Sequence, residues 1–98
     1  MARKRTLSTL DTSIEYEAVG LDLAKEDVAL AAFDPDHKEP YLIDRISYDK
    51  LYALLADMAP TLVAMEPCSG AHQIAEQIEA LGHEREFLSN GYTSSLKN

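Results

Sequence analysis

One cysteine, Cys68, is all the chain carries, so no disulfide can form within it, and that thiol count fits a reducing compartment. Apolar runs are short: none approaches the ~20 residues that a membrane span needs. The basic start MARKR leads into TLSTLDTS instead of the apolar stretch and small-residue cleavage site of a secretory signal. These absences set the expectation of a cytoplasmic protein that meets no membrane. Only 4 Gly and 4 Pro occur in 98 residues, against 46% hydrophobic and 27% charged residues. That excludes low-complexity disorder over most of the length and leaves a chain that should fold. At this length it is one domain, too small for a multi-domain enzyme.

Positive charge is also scarce, and it is unevenly placed. Arg3, Lys4 and Arg5 stand together at the start; taking these three from the 9 Lys and Arg leaves 6 against 17 Asp and Glu, a net −11 over the rest. Such a body repels bare phosphate. Contact with nucleic acid would need the basic head, a local basic face, or metal ions bridging carboxylates to phosphates.

Residues 1–13 keep no sustained period and read as a flexible basic lead, with the domain over residues 14–98. EYEAVGLDLA reads as a strand whose Gly20 permits close approach of another backbone. DVALAAF is a second strand, DPDHKEP a cluster of turn formers, and YLIDRI a third strand, joined closely enough for an antiparallel meander. The period then changes. Tyr48, Leu51, Tyr52 and Leu55 follow Ser47 at helical spacing, with Ser47 as N-cap and an end near Pro60. TLVAM predicts a strand covered on both faces. Ala71, Ile74, Ala75, Ile78 and Leu81 predict a second helix, with Ser69 as N-cap and Gly82 at its end. EREFL predicts a final strand. The order is β-β-β-α-β-α-β, an α/β mixed sheet flanked by helices, in which the first and fourth strands can lie side by side.

That neighbourhood would bring Asp22, inside VGLDLAK, close to Glu66, which ends the apolar run of VAMEPCSGAH. A carboxylate in a strand is costly unless paired, hydrogen-bonded or bound to a cation. One reading is a strand-end acid bonded to backbone N–H groups or to Lys25. The other is half of a Mg²⁺ site, since hard cations take one or two carboxylates plus substrate phosphate.

VGLDLAK, followed about forty residues later by VAMEPCSGAH and then LGH, resembles the N-terminal part of the DEDD transposases of bacterial insertion sequences. The RuvC-like domain of that family has an RNase H-like fold, and the resemblance spans residues 18–92. It implies that Asp22 and Glu66 match the first Asp and the Glu of a four-acid site. There, Mg²⁺ or Mn²⁺ activates a nucleophile and stabilises the leaving oxygen as DNA strands are cut and joined during transposition. DNA and a guide RNA would be the family's partners. Its other two aspartates lie in a helical segment after the last strand, and here no acid follows Glu86. The expectation is therefore a truncated RNase H-like domain lacking the later helices, with an incomplete Mg²⁺ site and very weak or absent strand cleavage.

Lys25 and His72 are accessory candidates: Lys25 toward phosphate, His72 in a first helical turn, orienting Glu66 or a phosphate. Cys68 and His72 are too few ligands for zinc, and His37 and His83 fall in turns with no specific role. Two other function classes compete. A non-catalytic interaction module would form a homodimer through the sheet face that the later helices would cover. An actin-like phosphotransferase would want glycine two residues after the Asp, where Ala24 stands.

Overall fold

The computed structural model describes residues 6–7 and 9–88. Its elements are β1 (Thr6–Leu7), β2 (Ala18–Leu23), β3 (Asp27–Phe33), β4 (Tyr41–Ser47), α1 (Tyr48–Asp57), β5 (Leu62–Met65), α2 (Ala71–Ala80) and β6 (Glu84–Phe87). From β2 onward this is the expected β-β-β-α-β-α-β order, and β3 coincides with DVALAAF. The addition is β1: within the stretch read as a flexible lead, Thr6 and Leu7 pair in parallel with Leu42 and Ile43, and Leu10 is buried.

The six strands form one mixed sheet in the order β1-β4-β3-β2-β5-β6. β2, β3 and β4 make an antiparallel meander, whereas β5 adds in parallel to β2, and β6 in parallel to β5. Among the described residues β6 stands at one margin of the sheet. Alternation along each strand sends Val19, Leu21, Val28, Leu30, Ile43, Val63 and Met65 to one face, where they form a single core with Leu51 and Leu55 of α1 and Ala75 and Ile78 of α2. Both described helices thus cover the same face. TLVAM was expected to be buried on both sides, yet Leu62 and Ala64 are only half-buried; no described helix packs against their side.

The helix ends show how the chain is steered. Ser47 caps α1 as expected, its hydroxyl accepting from the Lys50 N–H at 3.2 Å. For α2 the N-cap is Gly70, not Ser69; it sits at φ 85° and, as glycine, has no side chain to cap with. The other end of α2 is a Schellman turn: Gly82 at φ 98° donates to the Glu79 carbonyl at 2.9 Å, and the His83 N–H reaches back to Ile78 at 3.3 Å. This turn delivers His83 into the interior.

β4 contains a bulge. Leu30 pairs with Ile43 but Val28 pairs with Ile46, so β4 holds one residue more than β3 over this stretch. Arg45 sits there at φ 51°, a left-handed conformation costing a non-glycine residue about 1–2 kcal/mol. The extra residue returns Ile46 to the core face and leaves Asp44 on the other, while the Arg45 guanidinium donates to Asp27 at 3.2 Å.

The open face carries Ala18, Gly20, Ala29, Ala31, Leu42 and Ala64, with Phe33 42% exposed at one end. Gly20 was expected to serve a close backbone approach. A Cβ placed there meets only the Phe33 ring edge, at 3.9 Å, which is ordinary contact. Gly20→Ala is therefore expected to raise stability by about 0.5–1 kcal/mol through the smaller loss of backbone freedom on folding; a urea midpoint below that of the parent would contradict this.

Candidate functional site

Asp22 and Glu66 are brought together by strand register. β2 and β5 run in parallel with Gly20 opposite Ala64 and Leu21 opposite Met65, so the next position on each strand carries a carboxylate. Leu21 and Met65 point into the core, and alternation turns Asp22 and Glu66 to the open face. Glu66 is the first residue past β5, and Pro67 behind it holds its backbone in the extended region. The alternation of β5 thus continues one residue further. Neighbouring strands lie about 4.8 Å apart, and both acids line one groove of about 670 Å³ across the open face.

Both carboxylates are exposed. Among the described residues neither has a hydrogen bond or an ion pair, and Asp22 contacts neither Lys25 nor backbone N–H groups in the way a satisfied strand-end acid would. Asp44 lines the same groove from β4, with the whole of β3 between it and Asp22. Among the described residues no three His, Cys, Asp or Glu side chains converge closely enough to hold a metal.

The accessory candidates lie elsewhere. Lys25 lines a second groove, on the helix side of the same strand ends. His72 packs edge-on against Phe87, ring centres 5.0 Å apart, with no hydrogen bond to Glu66 among the described residues. Cys68 is exposed and lines both grooves. The second groove also holds Tyr48 and Tyr52, whose phenols burial pushes above their ordinary range, so both remain neutral at neutral pH. The Ala24 N–H, where an actin-like site would need a free phosphate donor, is already donated to the Asp27 carbonyl at 2.9 Å.

His83 has a structural role that sequence reasoning missed. It is 3% exposed; its Nδ1 accepts from the Thr61 N–H at 3.1 Å, and its Nε2 lies 2.6 Å from the Leu55 carbonyl. The only sequence signal was its place directly after a helix-ending glycine.

No protein-family model matches the chain, and no solved structure matches it. The transposase for insertion sequence element IS1328 of Yersinia enterocolitica is 37% identical to it over 71 residues, 72% of this chain. The chain spans only 21% of that relative's length. Together with VGLDLAK and VAMEPCSGAH, whose two acids the register sets side by side, this similarity relates the chain to an insertion-sequence transposase.

Proposed function

We propose that the chain is an RNase H-like, RuvC-like segment of a DEDD-type transposase, in which Asp22 and Glu66 supply two of the carboxylates that hold Mg²⁺ or Mn²⁺ for cutting and joining DNA. The observation that carries this reading is the pairing of two free, exposed carboxylates on adjacent parallel strands. Their chemistry fits the ion: hard oxygen donors, two from protein, with room in an open groove for water and substrate phosphate. Bound there, a divalent ion supplies the charge that activates a nucleophile and steadies a leaving oxygen.

The chain's own part is positional. Leu21 and Met65, buried beside the two acids, anchor the strand ends, so the backbone need not move for the two carboxylates to meet one ion. DNA, as the substrate of transposition, is the proposed partner. The net charge of −8 makes a metal ion the bridge between this surface and a phosphate.

Melting temperature followed through a MgCl₂ or MnCl₂ titration tests the site. At about ten times the dissociation constant, binding to the folded state adds about 1.4 kcal/mol, which raises the melting temperature of a domain this size by about 8 °C. Asp22→Ala and Glu66→Ala are each expected to abolish the rise, while Asp49→Ala, an exposed acid on α1, keeps it. A parent with no shift at millimolar metal, or equal shifts in all variants, refutes the metal site.

A further inference from the structure

We propose that the groove between the first turns of α1 and α2 holds an unpaired DNA strand leading away from the Asp22–Glu66 pair, with Tyr48 and Tyr52 as its stacking platform and Lys25 as its phosphate contact. This rests on the transposase reading above and assigns the path of its substrate. The groove, about 880 Å³, meets the carboxylate groove at Leu23 and Cys68, which line both. A strand whose phosphate sits at the acids therefore continues into it across Cys68, at the carboxyl ends of parallel strands, where sheets of this class bind their ligands.

The lining selects the occupant. The Tyr48 hydroxyl donates to the Ala24 carbonyl, which holds its ring in place, and the Tyr52 ring stands 6.4 Å from it at 38°. Gln73 and Gln77, one turn apart on the exposed side of α2, offer amide donors and acceptors to base edges. Lys25 is exposed and makes no ion pair among the described residues. Glu76 in the same groove repels a second phosphate. One cation, one acid, two aromatic rings and two amides suit a stacked base with one phosphate. They do not suit a duplex, whose binding draws on many cations. Stacking on aromatic rings needs no net positive charge and tolerates any sequence, so it is open to an acidic chain.

Fluorescence anisotropy of a labelled short oligothymidylate in Mg²⁺ buffer tests the assignment. Saturable binding is expected, with a duplex of the same length at least about tenfold weaker. The plot of log affinity against log salt should have a slope of about −0.7, the signature of one neutralised phosphate. Tyr52→Ala is expected to weaken binding about tenfold and Tyr52→Phe to keep it. Lys25→Ala and Gln73→Ala, both at exposed positions that folding does not need, should flatten the salt slope and weaken binding, respectively. Tyr52→Ala should weaken strand binding yet keep the Mg²⁺-dependent rise in melting temperature, so the two readings fail separately. Absent binding, equal affinity for duplex, parental affinity in Tyr52→Ala and Gln73→Ala, or a ribo-oligonucleotide bound at least about tenfold tighter would each overturn the proposal.

Discussion

Replacing His83 with alanine is expected to cost about 3 kcal/mol and to lower the melting temperature by about 15 °C. Both ring nitrogens are engaged inside the core. The Thr61 N–H can only donate, so Nδ1 must be the acceptor; the Leu55 carbonyl can only accept, so Nε2 carries the proton. The ring thereby ties three places together: the end of α1, the entry to β5 and the entry to β6. Thr61 extends the network, its hydroxyl donating to the Tyr16 carbonyl at 2.9 Å. Alanine would strand the buried Thr61 N–H, worth about 1–3 kcal/mol when orphaned, would leave the Leu55 carbonyl with only the Met58 N–H at 3.2 Å, and would open a cavity besides. His37, exposed and in edge contact with Tyr41 at 5.5 Å, is the control; His37→Ala should change stability by less than about 0.5 kcal/mol. Thermal and urea melts of the two variants that coincide would remove the clamp from this account.

Met65→Ala should be comparably damaging, by about 3 kcal/mol, and its effect reaches the carboxylates. Met65 is 1% exposed, stands between Leu21 of β2 and Phe87 of β6 in register, and immediately precedes Glu66. Truncation removes buried apolar surface and leaves a void that the surrounding sheet can only partly close. The strand end that sets the direction of Glu66 then loses its anchor. Met65→Leu, of similar volume, should cost less than about 1.5 kcal/mol. In a Mg²⁺ titration, Met65→Ala is expected to need more metal than Met65→Leu for half its stabilisation. Equal half-points would show that the carboxylate is positioned without this side chain.

The elements that sequence reasoning placed well are those whose signal is local. DVALAAF alternates cleanly and became β3, and Ser47 followed by Tyr48, Leu51, Tyr52 and Leu55 became a capped helix. The adjacency of β2 and β5 also followed from topology, because a meander leaves the first strand's outer edge free for the strand after a helix. What failed depended on distant partners. His83 looked like a turn residue because its two hydrogen-bonding partners lie 22 and 28 positions away. The pairing of β1 with β4 rests on two residues in a stretch without period. The bulge was invisible since YLIDRIS reads as ordinary alternation until β3 supplies the register. At the site, the neighbouring positions of Asp22 and Glu66 were legible from the strand order, while the groove beside α1 was not: Tyr48 and Tyr52 fit the helical stripe, and nothing local shows that both stay half-exposed beside α2.

The margin of the sheet at β6 bears on how the molecule behaves when crowded. An outer strand with unused hydrogen-bonding groups invites another copy to lie alongside and begin a fibril. Here it reads Glu84, Arg85, Glu86, with both glutamates exposed. A second β6 stacked in parallel register would set glutamate against glutamate at each of those positions, a like-charge pairing that opposes it. The sequence of this strand is thus a built-in deterrent to amyloid-like self-assembly.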